Sequence, residues 1–400
     1  MKKLLLTMSA VTGILLSAGC PLPTHRGDTS GDVTPQRYAI TVNSTGEVNG
    51  EKVTASVSEA TEGTIVTLSA TLDSSTRKVS FSTSESGITP HTIFTTNCKT
   101  TFIMPAKSLA ITATFADKPS AATPDNRTAN TVSFNMHYVH SGTFTMGEDM
   151  TTPAPEITLT KDFWMGETEI TQGLWEAVWG LTWPGTAPAE VPGDGDSYPA
   201  YNVNWYDAVA FCNLLTQADD SIATTELVYY SDADKKTAYT KEDAKNNVPV
   251  YVDWSKTGYR LPTEAEWEYT ARYKDADNSV WNGGDHVSGG PEYTNPEIEN
   301  YGWFNENSHE KCYEVKRLTA NALGLYDMSG NINEWCYDWI ASYKPISQSD
   351  PVGPENGTRR ILRGGSWSFG EEYMRVGNRY NYTPSARYST FGFRLCRTAY

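Results

Sequence analysis

Three patterns of hydrophobic and polar positions divide the chain. Residues 4–16 are predominantly apolar, residues 38–117 alternate apolar and polar side chains in short runs, and residues 132–400 mix helical and strand periodicities. Alternation with period two predicts β-strands, whereas apolar positions three and four apart predict amphipathic helices. We therefore expect a short leader, a small all-β domain and a larger α+β domain. Pro-rich segments at 21–37 and 118–131 are predicted to be a tether and a linker.

The first twenty residues have the composition of an export signal. Lys2 and Lys3 precede the apolar run, which is shorter than a comfortable membrane span. The run ends in Leu-Ser-Ala-Gly-Cys, which resembles the bacterial lipoprotein signal, in which the cysteine becomes the lipidated first residue. We predict that residues 1–20 are a signal peptide and that acyl chains on Cys20 anchor an exported protein to a membrane, on its outer surface. An ordinary secretory signal with a chance cysteine is the alternative.

The small β domain, residues 38–117, is predicted from alternating runs separated by Gly and Asn, and we expect short antiparallel strands. Its closing sequence, Phe102-Ile103-Met104-Pro105-Ala106 followed by Ile111-Thr112-Ala113-Thr114-Phe115, resembles a divergent bacterial surface repeat, present once. The resemblance implies a spacer that raises the next domain above the surface. An adhesive role is the alternative.

Capping residues predict three helices in the larger domain. Thr171, Asn204 and Thr263 each precede an apolar-periodic run, and Thr263 with Glu266 has the spacing of a capping box. The polar stretch between the second and third helices, residues 216–257, reads as a surface insertion. Within it, Leu227 to Tyr230 and Val248 to Val252 are expected to pair as a small hairpin.

The last stretch, Gly364 to Arg397, is the most informative. Gly-Gly-Ser-Trp opens it, Gly-Phe-Arg-Leu closes it, and Arg375, Arg379, Arg387 and Arg394 recur through it. Between these lie Tyr, Phe, Ser, Gly and Asn residues, a composition that is typical of antibody-like contact surfaces. Because their order does not keep a period of two, we expect several aromatic rings to face water. A terminal hairpin whose aromatic rings are core is the alternative.

Charge and cysteine content exclude several functions. The 400 residues carry a net charge of -16, so nucleic acid is a poor partner. Cys98, Cys212, Cys312, Cys336 and Cys396 remain beyond Cys20, and neither they nor the six histidines have the spacing of a zinc or iron–sulfur site.

Five motifs in order identify the larger domain as similar to the sulfatase-modifying-factor family, to which formylglycine-generating enzymes belong. The motifs are Thr-Phe-Thr-Met-Gly, Asn-Trp-Tyr-Asp-Ala-Val, Arg-Leu-Pro-Thr-Glu-Ala-Glu-Trp-Glu, Gly-Leu-Tyr-Asp-Met-Ser-Gly-Asn and Arg-Gly-Gly-Ser-Trp to Gly-Phe-Arg. The resemblance covers residues 132–400 and implies an α+β fold of the C-type-lectin-like kind. Fold alone does not settle function.

The resemblance also implies where catalytic residues would lie. Formylglycine-generating enzymes bind copper(I) through two cysteines after the Gly-Gly-Ser motif, and the matching positions here are Phe369 and Met374. No cysteine lies between Ser366 and Arg394. We therefore predict a non-catalytic domain that requires no cofactor, with an oxidase or sulfatase activator as the alternative.

Two further features are implied by the resemblance alone. A family calcium site matches Asp327, Gly330, Ile332 and Glu334, whose carboxylate and carbonyl oxygens suit a hard cation. Turn-capping roles for the two acidic residues are the alternative. The family also pairs a cysteine matching Cys212 with one near the C-terminal strand. Cys396 is one residue out of register, which would point its side chain to the opposite face of that strand.

The lipoprotein signal and the terminal stretch together resemble the variable proteins of diversity-generating retroelements, a group with treponemal surface lipoproteins among its members. In that group, adenines of a template are randomised, so that an Asn-type codon becomes one for Tyr, Phe, Ser, Thr, Gly or Asn. The residues in that reachable set are Ser368, Phe369, Gly370, Tyr373, Tyr380, Asn381, Tyr382, Tyr388, Ser389, Thr390 and Phe391.

The resemblance implies that these residues form a ligand-binding face for a protein or glycan at the cell surface. Trp367, Met374 and the arginines are then scaffold. A structural envelope lipoprotein is the remaining alternative.

Overall fold

A computed structural model describes residues 35–48, 50–72, 77–83, 99–119, 123–147, 155–180, 193–273, 286–290 and 296–399. The predicted signal peptide, Cys20, most of the tether and Cys98 lie outside the described residues.

The N-terminal unit consists of two small β-sheets around one apolar core. Its strands are β1 (Tyr38–Thr45), β2 (Lys52–Ala55), β3 (Glu59–Ala60), β4 (Ile65–Thr71), β5 (Arg77–Thr83), β6 (Lys99–Ile103) and β7 (Leu109–Asp117). The sheets have the orders β3-β1-β7-β5 and β2-β4-β6. Alternate side chains such as Val66, Val79 and Phe115 are buried between them, as the period-two pattern predicts.

One pairing differs from the expectation of antiparallel strands only. Strands β1 and β7 run parallel, with Ile40 opposite Leu109 and Thr45 opposite Thr114. The two strands are far apart in sequence, so the chain between them can return to the same edge and a parallel pair becomes accessible.

The larger domain contains short strands, short helices and long connections. Its strands are β8 (Asp125–Ala129), β9 (Val132–Val139), β10 (Gly142–Thr145), β11 (Glu156–Leu159), β12 (Phe163–Glu169), β13 (Tyr229–Tyr230), β14 (Tyr251–Val252), β15 (Asn333–Trp339), β16 (Gln348–Ser349), β17 (Arg360–Arg363), β18 (Tyr380–Tyr382), β19 (Phe391–Gly392) and β20 (Arg394–Thr398). Its helices are α1 (Gln172–Trp179), α2 (Trp205–Ala218), α3 (Lys241–Lys245), α4 (Glu264–Ala271) and α5 (Asn305–Ser308).

Two four-stranded sheets organise this domain. Their orders are β20-β12-β9-β8, which is antiparallel throughout, and β18-β17-β15-β19, in which β15 and β19 are parallel. The predicted hairpin in the insertion is confirmed as β13 paired with β14. The final strand, β20, pairs with β12, which lies more than 200 residues earlier in the chain.

All three predicted helix starts are confirmed. The Thr171 side chain accepts from the backbone N–H of Leu174, and Asn204 and Thr263 each form a reciprocal capping box. These bonds satisfy N–H groups that have no partner within the helix. Helix α2 packs with α1 through Trp175 and Phe211, whose rings stack with centroids 5.0 Å apart.

The stretch expected to be a linker, residues 118–131, is partly folded. Residues 125–129 form β8, which extends the first sheet, and the Lys118 ammonium forms a buried 2.6 Å ion pair with Asp162. The Pro- and Ala-rich composition at 119–124 gave no sign of either contact, because both partners come from later in the chain.

Candidate functional site

Glycine fixes both ends of the terminal stretch. Gly365 has φ +76°, and a side-chain carbon there would lie 2.6 Å from the carbonyl oxygen of Tyr373. A side-chain carbon on Gly392 would lie 2.3 Å from Ile332 Cδ1 and 2.5 Å from the carbonyl oxygen of Ala200. Any other residue would force the backbone apart at these points. The two glycine motifs thus hold the segment between them to the buried scaffold.

Between these ends, five aromatic rings form a continuous strip. Phe369 lies 5.1 Å from Tyr373 and 5.3 Å from Tyr380, measured between ring centroids. Tyr380 lies 6.4 Å from Tyr382, which lies 5.1 Å from Tyr388. The hydroxyl oxygens of Tyr382 and Tyr388 are 2.7 Å apart and share a hydrogen bond. The Phe369–Tyr380 and Tyr382–Tyr388 pairs are edge-to-face and the other two are tilted, so the rings support one another along the strip.

Most of the predicted binding residues reach solvent. Ser368, Tyr373 and Tyr388 are exposed, with Tyr373 at 36% and Tyr388 at 45%. A second group is half-buried. It comprises Phe369, Gly370, Tyr380, Asn381, Tyr382 and Ser389. We refer to these nine residues as the variable face.

Two of the eleven predicted residues lie inside the protein, against expectation. Phe391 is 2% exposed and Thr390 is 9% exposed. Phe391 belongs to β19, and its ring lies 5.3 Å from that of Trp335 and 5.0 Å from that of Tyr388. Pairing of β19 with β15 turns Phe391 into the core, and the sequence at this position did not reveal that pairing. Phe391 therefore supports the variable face from below.

Three arginines of the terminal stretch and its approach anchor it on buried carboxylates. Arg379 donates to both oxygens of Glu264 at 2.6 and 2.7 Å, and Arg394 bonds Glu334. The fully buried Arg363 bonds Glu268 of α4. Bidentate arginine–carboxylate pairs fix both distance and orientation.

The resemblance implied a scaffold role for Arg379 and Arg394, but neither Glu264 nor Glu268 was predicted as a partner of an arginine. The only available signal was the acidic run in Arg-Leu-Pro-Thr-Glu-Ala-Glu-Trp-Glu.

The predicted calcium ligands do not fit one ion as a set. Glu334 is fully buried, and its oxygens already accept from Arg394 Nε, Arg394 Nη2 and Trp267 Nε1, each at 2.6 Å. Asp327 accepts one bond, from the backbone N–H of Lys316, and its Oδ1 has no partner among the described residues. Within that same part of the chain, three or more acidic, His or Cys side chains do not converge as a metal cluster.

The buried carboxyl groups of Glu169 and Asp327 both have raised pKa values. Burial, with Asp327 and Glu334 close by, raises the pKa of Glu169 well above its usual range. Burial likewise raises the pKa of Asp327 to about 6, even though Lys316 N–H and Arg394 oppose the shift. The Glu169 side chain accepts from Asn331 Nδ2 at 3.1 Å. Carboxylates therefore outnumber the cations that could balance them here.

Phe369 and Met374, which were predicted to match the catalytic cysteines of formylglycine-generating enzymes, lie in different surroundings. Phe369 belongs to the variable face, whereas Met374 is fully buried against Val287, Ile298 and Phe304.

Cys212, Cys336 and Cys396 are buried and form no disulfide. Leu395 packs in the core with α2, whereas Cys396 points to the opposite face of β20, as its register predicted. Cys212 lies on α2, and the Cys396 thiol donates to Glu266 Oε2 at 3.7 Å.

Sequence comparison identifies both domains. Residues 38–119 match the divergent InlB B-repeat domain, and residues 120–399 match the sulfatase-modifying factor enzyme 1-like domain. The chain belongs to the sulfatase-modifying-factor family. Its expected fold class is confirmed: a small all-β domain precedes an α+β sulfatase-modifying-factor domain of the C-type-lectin-like kind.

Among solved structures, Treponema denticola variable protein 1 is similar to this sulfatase-modifying-factor chain. It is 32% identical, with a TM-score of 0.58, and the match covers 70% of this chain and 100% of that protein. This agrees with the resemblance to variable proteins drawn from the terminal stretch.

This chain covers different fractions of the curated relatives that it resembles. Chaperone protein LppX of Paenibacillus barcinonensis is 33% identical over 258 residues, which are 59% of this chain and 80% of that protein. The formylglycine-generating enzyme of Streptomyces coelicolor is 36% identical over 161 residues, 38% of this chain and 51% of the enzyme. The chain thus spans about half of that enzyme.

Within the described residues, no helix is long and apolar enough to traverse a bilayer.

Proposed function

We propose that this chain is a surface-displayed lipoprotein that binds a protein or glycan through a diversified C-terminal region and catalyses no reaction. Lipid on Cys20 is the proposed membrane anchor, and the repeat domain at 38–117 is the proposed spacer. The observation that carries the proposal is the variable face, a strip of partly exposed aromatic rings on a scaffold held by buried glycines and ion pairs.

The arrangement separates residues that can change from residues that cannot. The rings of Tyr382 and Tyr388 contact each other and rest on the Phe391 ring, at centroid distances of 5.6 and 5.0 Å. Replacing them with Ser, Asn or Gly removes apolar contacts with the core but breaks no buried ion pair. By contrast, Gly365, Arg379 and Arg394 each meet buried backbone or a buried carboxylate. A surface built this way can vary in sequence while the fold beneath it is retained.

Tyr, Phe, Ser, Gly and Asn are also suited to binding. Tyrosine and phenylalanine give a large rigid contact area at a low cost in side-chain entropy, and small polar residues adapt their hydrogen bonds to different partners. Arg359, whose guanidinium lies 6.0 Å from the Tyr382 ring centroid, adds a cation beside the strip. The proposal therefore predicts different ligands for different versions of the same scaffold.

The DNA sequence of the gene and its flanks tests whether the terminal stretch is diversified. We expect a near-repeat of the DNA encoding residues 368–391 beside a reverse transcriptase, with mismatches at adenines that fall on codons of the variable face. Codons for Trp367, Met374 and Arg379 are the internal control and should match between the copies. Mismatches spread evenly over these scaffold codons, or absence of a repeat, would contradict the proposal.

A second test separates binding from the formylglycine-generating alternative. The purified chain, loaded with copper(I), should leave the cysteine of a sulfatase-type peptide unoxidised, because no cysteine lies between Ser366 and Arg394. Formation of an aldehyde on that peptide would restore the enzyme hypothesis.

A further inference from the structure

A small pocket lies between the N-terminal end of α4 and the loop that follows β15. It has a volume of about 180 Å³, and its lining includes Glu264 and Ala265 of α4 together with residues of the segment 341–354. A protein cavity of about 150 Å³ already holds a molecule the size of benzene. The pocket therefore has room for one side chain or one small organic group. Of the residues that line it, none belongs to the variable face.

Apolar side chains form much of the pocket wall. Met146 and Ile157 reach it from the core, where they are 3% and 1% exposed. Trp339, Val352 and Pro354 line it as well. Apolar surface that leaves water on binding contributes to affinity, so the wall favours a ligand with a hydrocarbon part.

The carboxyl group of Asp338 supplies a polar contact point in this pocket. Asp338 is 4% exposed, and its Oδ2 accepts from the backbone N–H of Glu264 at 2.8 Å. Its Oδ1 has no hydrogen-bond partner within the described part of the chain. A side-chain carbon added to Gly353, which also lines the pocket, would lie 3.2 Å from that oxygen. Oδ1 is therefore an unused acceptor at the pocket, and an ionised carboxylate in this position is costly without a partner.

The cations near Asp338 are engaged elsewhere. Arg379 donates to both oxygens of Glu264, at 2.6 and 2.7 Å. The guanidinium of Arg360 stacks on the Trp339 ring, 3.5 Å from its centroid, and forms no ion pair with Asp338 among the described residues. Glu264 is thus neutralised within the protein, whereas Asp338 is not.

The charge balance at Asp338 leaves room for one more cation. Burial, with Glu264 beside it and Glu266 nearby, raises the pKa of Asp338 to about 8, although the Glu264 N–H and Arg360 oppose the shift. The ammonium of Lys344 lines the pocket, but Lys344 is exposed to solvent. A cation placed beside Oδ1 would favour the ionised carboxylate and displace its proton.

We propose that this pocket binds a primary ammonium group carried on a short hydrocarbon chain. The ammonium donates to Asp338 Oδ1, and the hydrocarbon part lies against Ile157, Trp339 and Val352. A divalent metal ion is disfavoured, because such ions take about six or more oxygen ligands and both oxygens of Glu264 are already bonded. A lysine side chain of a partner protein and a free alkylamine share this chemistry.

Calorimetric titration of the full chain with n-pentylammonium chloride, which has the length of a lysine side chain, tests the site. We expect one bound molecule per chain. Asp338→Asn should weaken binding by about tenfold or more, because it removes a charge-assisted hydrogen bond. The asparagine can still accept from the Glu264 N–H, so the fold should be retained. Pentan-1-ol has the same chain without the charge, and it should bind about tenfold or more weakly than the ammonium.

Two further variants control for long-range charge. Glu355→Gln removes the same charge from an exposed residue that directly follows Pro354 of the lining, and it should change affinity by less than about twofold. Lys344→Met removes a competing cation at the pocket and should tighten binding by about twofold to fivefold.

The pH dependence of binding gives a readout that a merely structural Asp338 would not move. A proton and the ammonium compete for the same carboxylate, so affinity should rise by about tenfold per pH unit below pH 8 and level off above it. An alkylammonium stays protonated over this range, as lysine does. Affinity that falls as pH rises through 8 would mean that a protonated Asp338 donates to a neutral ligand, and would overturn the proposal.

A second ligand distinguishes the two sources of the ammonium. Equal affinities for Nα-acetyl-lysine methylamide and n-pentylammonium would support a lysine of a partner protein. Binding of n-pentylammonium alone would support a free alkylamine, because the flanking peptide groups would then not fit.

Three other outcomes would overturn the proposal. The first is no heat of binding at millimolar n-pentylammonium. The second is undiminished binding in Asp338→Asn or equal binding of pentan-1-ol, either of which would mean that the carboxylate is not the contact. The third is equal weakening by Glu355→Gln and Asp338→Asn, which would mean diffuse attraction. None of these results bears on the variable face, so the proposed function is tested separately.

Discussion

Arg394 and Glu334 form a buried bidentate ion pair in which both N···O distances are 2.6 Å. The pair joins the Gly-Phe-Arg motif at the end of the variable region to the Gly-Asn-Ile-Asn-Glu-Trp motif sixty residues earlier. Both side chains are at most 1% exposed. The end of the terminal stretch is therefore fixed to the core by charge as well as by Gly392.

Removing this cation should destabilise the fold strongly. Arg394→Ala leaves Glu334 buried without a counter-ion, and we expect the free energy of unfolding to fall by about 3–5 kcal/mol. Urea unfolding followed by tryptophan fluorescence measures the change. Lys236→Ala, which breaks the exposed pair with Asp234, is the control and should change stability by less than about 1 kcal/mol. Similar losses in both variants would mean that the buried pair does not hold the segment.

Substitutions in the variable face should cost less stability than a substitution of the buried Phe391 beneath it. Tyr388→Ser removes an exposed ring and should change the free energy of unfolding by less than about 1 kcal/mol. Phe391→Ser leaves a cavity beside Trp335 and buries a hydroxyl, and should lower it by about 3–5 kcal/mol. Urea midpoints of the two variants, compared at equal slopes, provide the measurement. A tolerant Phe391 would show that β19 is not part of the core.

The pH dependence of stability should reflect Asp338. Burial, with Glu264 beside it and Glu266 nearby, raises the pKa of Asp338 to about 8, although the Glu264 N–H and Arg360 oppose this. The folded chain therefore holds a proton that the unfolded chain releases near pH 4. Because the folded state binds more protons between these values, this contribution to stability is full below pH 4 and is lost as pH rises toward 8.

Asp338→Asn removes that titration. The amide oxygen can still accept from the Glu264 N–H, so we expect the variant to lose less stability than the parent between pH 5 and pH 8, by on the order of 1–3 kcal/mol. Urea unfolding at the two pH values is the measurement, with Asp234→Asn, at an exposed aspartate, as the control. Parallel pH profiles for Asp338→Asn and the parent would contradict the assignment.

The cysteines should remain reduced even after export. Cys212 packs in the same core cluster as Leu395, whereas Cys396 packs in the other cluster, so we expect a bond between the two cysteines to need a rearrangement of β20. Burial raises the pKa of both thiols, which also slows their oxidation.

We expect alkylation in denaturant without reductant to label Cys212, Cys312, Cys336 and Cys396 fully, and alkylation of the folded chain to label none of the four. Peptide mass spectrometry distinguishes these states. A Cys212–Cys396 cross-linked peptide would contradict the prediction.

The sequence by itself determined the local features of this protein. Side-chain caps at Thr171, Asn204 and Thr263 act over three residues, and the alternation of β1 and β7 repeats every two, so both can be read without knowing the fold. The glycine motifs around Gly365 and Gly392 identified the family. Glycine is required at both positions because neighbouring atoms lie too close for a side-chain carbon. The aromatic composition of the terminal stretch indicated a contact surface for the same local reason.

Only the tertiary structure decided which groups meet. The burial of Phe391 follows from pairing with a strand some sixty residues away, and the strand within the expected linker follows from pairing with β9. Arg394 donates to both oxygens of Glu334, whereas one oxygen each of Glu169 and Asp327 has no hydrogen-bond partner within the described part of the chain. Burial and partner choice depend on contacts between distant segments, and the period of a pattern carries no information about which distant segment lies opposite.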